Sequence, residues 1–355
     1  MAAAPGSKST QMAAMMKTSG RLYLNDINRA RLQPLNTNLQ RCGVINQIVL
    51  NLPGERIGML MPDFFDRILL DAPCTALGSM HQNKEIDLWW SMDKLERLCA
   101  LQYRLLISAF KALKTGGLLV YSTCSITEEE NERNIEQLIR QYPVQVESII
   151  EIDKNGFEQG KSNICTEAIR VYPHKQQMEG FFVVKLRKIS KKKYIIDRKK
   201  TEFIQTLSYA DKELFPELEE ISRVWGIPFS VWKNYRYVLT NKRIWLLCPD
   251  ISDIPKTGLI SSGLLLAEHK SNSWKLLNQS VQFLARYITK TIEPDDNLLK
   301  TLFAKSVAYI SGVDNGYYAL CRSGKPFASV NALKGRLKIR LQQAYTLPEL
   351  KADQS

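Results

Sequence analysis

The sequence predicts an α/β protein built on a doubly wound, largely parallel sheet. Two observations carry that reading. Over residues 1–188, short apolar runs of strand length alternate with segments whose apolar residues recur at helical spacing. Two of those runs, Arg67-Ile68-Leu69-Leu70 and Gly117-Leu118-Leu119-Val120, lead straight into polar turns that carry a cysteine. A strand such as Arg67–Leu70 reads as buried on both faces, as in a parallel sheet, where the ligand crevice lies beyond the carboxyl ends of the strands.

Taken in order, Gln11 to Lys17 predicts a helix leaving a small-residue loop, and Arg21 to Asn25 a strand. Ile27 to Arg41 predicts a helical stretch ended by Gly43, with Pro34 expected to kink or restart it. Gln47 to Asn51 and Arg67 to Leu70 are the next strands. Lys94 to Leu113 is a helix, because Leu95, Leu98, Leu101, Leu105 and Ala109 share a face. Lys114-Thr115-Gly116-Gly117 is the expected turn into a strand at Leu118 to Tyr121. Glu128 to Gln141 follows as a helix and Phe181 to Leu186 as a closing strand.

The two strand ends read Asp71-Ala72-Pro73-Cys74 and Tyr121-Ser122-Thr123-Cys124-Ser125, so both thiols are expected to face one crevice. A thiolate suits addition to C6 of a pyrimidine, because it is strongly nucleophilic and leaves again by elimination. Such addition makes cytosine C5 reactive. The alternative for either residue is a packed strand-end thiol, and Cys42, Cys99, Cys165, Cys248 and Cys321 keep that reading. No pair of cysteines has CxxC spacing and the 3 histidines are scattered, so no metal site is expected. The odd number of cysteines, 7, without a secretory segment implies reduced thiols and a cytoplasmic location.

These residues resemble motifs of the RNA cytosine-C5 methyltransferases, the group that includes the bacterial Fmu/Sun proteins and their eukaryotic nucleolar relatives. The resemblance lies in Asp71-Ala72-Pro73-Cys74, in Ser122-Thr123-Cys124, and in the opening Ala2-Ala3-Ala4-Pro5-Gly6-Ser7-Lys8. It implies a Rossmann-like AdoMet-dependent methyltransferase core, with S-adenosyl-L-methionine as cofactor. Cys124 would attack C6, Asp71 would bond the N3 and N4 edge of the base, and Cys74 would assist loss of the C5 proton or release of the enzyme. Ala2, Ala3, Ala4, Pro5, Gly6, Ser7 and Lys8 would form the cofactor loop, with Asp26 on the ribose and Asp71 beside it. The alternative reading of Asp26 is a helix N-cap, and that of Asp71 a strand-end residue that caps the next turn. The sequence departs from the family in two places. An adenine-contacting aspartate falls on Pro53, and Met1 lies inside the first motif, so the family's first strand is expected upstream.

A formal net charge of +13 and a pI near 9.3 point to a polyanionic partner without choosing RNA over DNA or an acidic membrane; the resemblance implies ribosomal RNA or the small ribosomal subunit. No apolar run approaches the ~20 residues of a membrane span. Arg170-Val171-Tyr172-Pro173-His174 resembles the end of the family's core. Leu264 to His269 and Gly335-Arg336-Leu337-Lys338 resemble the tail of the bacterial 16S ribosomal RNA methyltransferase F subfamily. The expected organisation is a methyltransferase core at 1–188, a basic linker from Lys188 with a small intermediate region at 189–250, and a PUA-like RNA-binding domain at 251–350. Trp225, Trp232 and Trp245 are expected as core aromatics. The implied function is cytosine-C5 methylation of 16S ribosomal RNA by a monomer. One alternative is a DNA cytosine methyltransferase, against which the second cysteine argues. The other is a non-catalytic RNA-binding or ribosome-assembly protein with a degenerate cofactor site.

Overall fold

A computed structural model describes residues 1–79, 91–149, 157–192, 201–270 and 273–339. Lys193 to Lys200, part of the expected basic linker, and residues 340–350 of the expected tail domain lie outside the described residues. The chain forms two compact units. One comprises Met1–Pro5, Leu24–Leu32 and Leu50–Glu202, the other Gly6–Tyr23, Gln33–Val49 and Phe203–Ser355.

The strands up to the end of the first unit's sheet are β1 (Leu22–Asn25), β2 (Gln47–Leu50), β3 (Phe65–Asp71), β4 (Leu113–Thr123), β5 (Val144–Glu147), β6 (Glu158–Gln159), β7 (Ile169–Val171) and β8 (Phe181–Lys188). The helices are α1 (Ser7–Met16), α2 (Arg29–Arg41), α3 (Ile57–Leu60), α4 (Met92–Ala112) and α5 (Glu132–Gln141). The first unit holds a 6-stranded sheet of order β3-β4-β8-β7-β6, with β5 also paired to β8. β3 and β4 run parallel, whereas β8 is antiparallel to β4. Tyr121 and Phe182 are fully buried on this sheet, and α4 adds Leu105, Leu106, Ala109 and Phe110 to the core. Ser91 starts α4 by accepting the N–H of Lys94 at 3.3 Å.

Four expectations change. The early strands do not join this sheet: β1 and β2 pair instead in a 3-stranded sheet completed by Leu259–Ser262. The cause is local. Residues 1–3 lie between the end of β1 and β3, with the Met1 amine donating to Leu69 O at 3.0 Å and Ala3 N to Asn25 O at 2.9 Å. Second, the expected turn at 114–117 is the first part of β4, which bends there at Gly116 with φ +79°. Third, α5 begins at Glu132, and the preceding turn folds Glu130 and Asn131 inward. Fourth, Lys188 is no solvated linker residue. The alternating burial of β8 carries it inside, where Nζ donates to Asp63 Oδ1 (2.8 Å), Phe110 O (3.0 Å) and Leu113 O (2.7 Å). Pro34 sits within a continuous α2, at the loss of one backbone hydrogen bond.

The second unit contains a 4-stranded sheet of Arg236–Thr240, Arg243–Leu247, Leu264–Lys270 and Ser273–Leu276. Its 5-stranded sheet runs Thr291–Ile292, Gly316–Arg322, Lys325–Leu333, Arg336–Ile339, Val307–Tyr309, over a core that includes Leu302, Leu320, Val330 and Leu337. Trp225 and Trp232 are buried, as expected of core aromatics, and Trp225 stacks on Tyr317 at 6.1 Å. Among the described residues no helix is long and apolar enough to cross a membrane.

Candidate active site

Because β3 and β4 are parallel, their carboxyl ends open on the same side of the sheet. The register sets Asp71 opposite Ser122, whose hydroxyl donates to Asp71 Oδ1 at 2.7 Å. One further backbone bond, Ala72 N to Ser122 O at 2.9 Å, prolongs the pairing before the two chains turn. The turns bring the thiols together: Cys74 Sγ lies 3.0 Å from Cys124 Sγ, both half-buried.

At that separation the two thiols are hydrogen-bonded. The Cys74 S–H donates to Cys124 and holds the Cys124 thiol below its ordinary value, outweighing burial and the nearby Asp71 charge, which push it up. The same bond, together with burial and the Cys124 charge, pushes Cys74 far up. Cys124 is therefore the thiol of the pair that ionises first, and Cys74 the one that holds its proton longer.

A buried polar network supports both turns, and its members are residues that the sequence reading passed over. Glu130 accepts from Thr75 N (2.8 Å), Thr75 Oγ1 (2.5 Å), Gln102 Nε2 (2.9 Å) and Thr127 Oγ1 (3.1 Å). Gln102 also holds Pro73 O at 2.8 Å, and Thr123 Oγ1 donates to Asn131 Oδ1 at 2.6 Å. Gln102 carried a legible signal, since it falls at core spacing between Leu98 and Leu105. Glu130 did not, because Glu128-Glu129-Glu130 looks like the solvated first turn of a helix.

The expected cofactor residues fall in two groups. Asp26 is buried, its Oδ2 accepting Ala4 N at 3.2 Å and its Oδ1 accepting Asn28 N at 2.9 Å. It does not cap α2. Asn28 does so, by accepting from Ala30 N at 3.0 Å and Arg31 N at 3.4 Å. Arg31 in turn donates to Ala4 O at 2.7 Å, so both backbone groups of Ala4 are fixed by side chains. Ala2 and Ala3 are half-buried and Pro5 is exposed. Gly6, Ser7 and Lys8 belong to the second unit, where Gly6 at φ +111° precedes α1 and exposed Ser7 and Lys8 open the helix.

Residues 1–187 match the family described as 16S rRNA methyltransferase RsmB/F. This chain belongs to the RsmB/F family. Ribosomal RNA small subunit methyltransferase F of Erwinia tasmaniensis is 32% identical over 275 residues, which are 76% of this chain and 56% of that protein. The same-named protein of Photobacterium profundum is 33% identical over 295 residues, 80% of this chain and 60% of its own. The chain thus spans about half the length of the curated relatives it matches. Among solved structures, NSun6 from Pyrococcus horikoshii with SFG is 34% identical over 54% of this chain and 47% of that one, with a TM-score of 0.47. The RsmB/F match takes in Asp26, Asp71, Cys74 and Cys124, and it ends one residue before the buried Lys188 that closes β8.

Proposed function

We propose that this chain is an S-adenosylmethionine-dependent methyltransferase acting on cytosine C5 of ribosomal RNA, with small-subunit 16S RNA as its substrate. The single observation that carries the reading is the Cys74–Cys124 pair, sulfur to sulfur at 3.0 Å, beside the Ser122-held carboxylate of Asp71.

The cofactor residues fit the group in kind. Asp26 is a buried carboxylate with one protein bond on each oxygen, so each keeps a lone pair for a ribose hydroxyl, and small residues flank it at Ala2 to Ala4. Asp26, Asp71 and the first-unit residues Ala2 to Pro5 would hold S-adenosylmethionine, which supplies the electrophilic methyl group. Pro53 offers no side-chain acceptor for the adenine.

The remaining chemistry belongs to the protein. A target cytosine flipped from its stack meets the Cys124 thiolate, whose lone pair forms the S–C6 bond while the C5–C6 π electrons move into the ring. Asp71 holds the N3 and N4 edge. Once Cys124 is a thioether its negative charge is gone, and of the influences that push the Cys74 thiol up, its bond to the Cys124 thiolate and that charge go while burial stays. Cys74 then loses its proton to solvent and as thiolate takes the C5 proton after methyl transfer, and the electron pair of the broken C5–H bond restores the C5–C6 double bond and expels the Cys124 thiolate.

Residues 1–188 act in this reading as the methyltransferase core, 189–250 as an intermediate region, and 251–350 as a PUA-like domain that binds RNA through the chain's positive charge. The test is transfer of tritiated methyl groups to 30S subunits. Wild-type chain should label the RNA and Cys124→Ala should not. Full labelling by Cys124→Ala would overturn the assignment.

A further inference from the structure

We infer that Glu130 is a positioning residue for the cysteine pair: its carboxylate clamps the Cys74 turn to the Cys124 turn and sets the separation of the two sulfurs. The inference deepens the proposed function, since it rests on Cys74 and Cys124 being the reacting thiols.

Glu130 is fully buried, and a carboxylate in such a place is costly unless donors saturate it. The four donors it accepts all come from the walls of the site. The residues on either side of Cys74 are both gripped. Thr75 is held by Glu130 through its amide and its hydroxyl, and Pro73 O is held by Gln102, whose amide also donates to Glu130. Asn134 Nδ2 fixes Gln102 by donating to its Oε1 at 2.9 Å. On the other side, the hydroxyls of Thr75 and Thr127 each meet Ser125 Oγ at 3.2 Å, next to Cys124. The Glu130 carbonyl takes the Tyr121 hydroxyl from β4 at 2.6 Å. An apolar side chain would fill this space with less desolvation, but it could not accept two N–H and two O–H donors from both turns and α4 at once.

The test uses the full chain and a readout independent of methyl transfer: the rate at which diamide oxidises Cys74 and Cys124 to an intramolecular disulfide, followed by mass spectrometry. Glu130→Ala should slow crosslinking and methyl transfer at least about tenfold, the effect of losing one to two buried hydrogen bonds to a charged group. Glu130→Gln should restore both to within about threefold of wild type, because its Oε1 still accepts the two N–H donors and the threonine hydroxyls can turn to accept from its amide. Crosslinking at the wild-type rate in a folded Glu130→Ala variant would overturn the proposal. If Glu130→Ala does not fold, Thr75→Val, which removes one hydroxyl from the clamp, decides in its place: slowed crosslinking supports the clamp and an unchanged rate refutes it. A wild-type chain that crosslinks but transfers no methyl group would defeat the methyltransferase reading and leave the positioning role standing.

Discussion

Ser122 and Asp71 face each other across the parallel β3–β4 pair, and the serine hydroxyl donates to the carboxylate at 2.7 Å. The residue two positions before Cys124 thereby aims the acid three positions before Cys74. Ser122→Ala should leave the melting temperature close to wild type and lower kcat for methyl transfer about tenfold, the worth of one hydrogen bond to a charged acceptor. A parallel fall in melting temperature would mean that the hydroxyl serves packing.

The Cys74–Cys124 hydrogen bond gives a pH prediction with a definite sign. The Cys74 S–H stabilises the Cys124 thiolate and holds its pKa down; without it, burial and the charges of Asp71 and Glu130 push up against only a backbone hydrogen bond. In Cys74→Ala the pH midpoint for alkylation of Cys124 by iodoacetamide should move up, and the rate at pH 7 should fall, read on the Cys124 peptide by mass spectrometry. With RNA and S-adenosylmethionine the same variant should accumulate a covalent protein–RNA band on a denaturing gel. An unchanged profile and no band would return Cys74 to the role of a packed thiol.

Lys188 and Asp63 form a second pair with a measurable consequence. Burial pushes the Asp63 carboxyl up, but hydrogen bonds and charge from Lys188 and Lys191 more than offset it, so its pKa is depressed. A depressed carboxyl contributes stability that is present above the unfolded value of about 3.9 and is lost as the pH falls through the folded value. Asp63→Ala should lower stability to urea by about 2 kcal/mol at pH 7, leaving the buried ammonium with two carbonyl partners. The gap between variant and wild type should narrow as the pH drops from about 5 to about 3.

What the sequence made legible were features with a local signature. The apolar runs into Cys74 and Cys124 predicted two strand ends facing one place, and the sulfurs stand 3.0 Å apart. Periodicity placed α4 within a few residues. Features set by distant partners were not legible. Lys188 reads as the first residue of a basic run until the two-residue alternation of β8 is followed to its last position. Glu130 reads as surface charge because its donors come from residues 75, 102 and 127, and only the tertiary fold assembles them. The separate pairing of β1 and β2 was hidden for the same reason. Strand pattern fixes which face is buried but not which neighbour is hydrogen-bonded.

Gly78 supplies the sharpest steric test of the Cys124 turn. Its N–H donates to Cys124 O at 3.0 Å, and its carbonyl accepts Gly180 N at 2.8 Å, so this glycine joins the turn that carries Cys124 to the entry of β8. A Cβ at Gly78 would stand 2.5 Å from Gly180 O and 2.7 Å from Gly180 Cα, contacts that only a backbone shift can relieve. Gly78→Ala should therefore cost about 2 kcal/mol in urea denaturation, in the range of overpacked sites. It should also lower methyl transfer by more than the loss of folded protein accounts for, because the shift pulls on the carbonyl of Cys124 itself. Calorimetric titration with S-adenosylmethionine should give an affinity within about twofold of wild type, a difference of less than 0.5 kcal/mol, since Asp26 and Ala4 make no contact with this glycine. Wild-type stability and turnover in Gly78→Ala would show that the turn has the slack to absorb a methyl group, and that the close approach of Gly78 and Gly180 does not hold Cys124 in place.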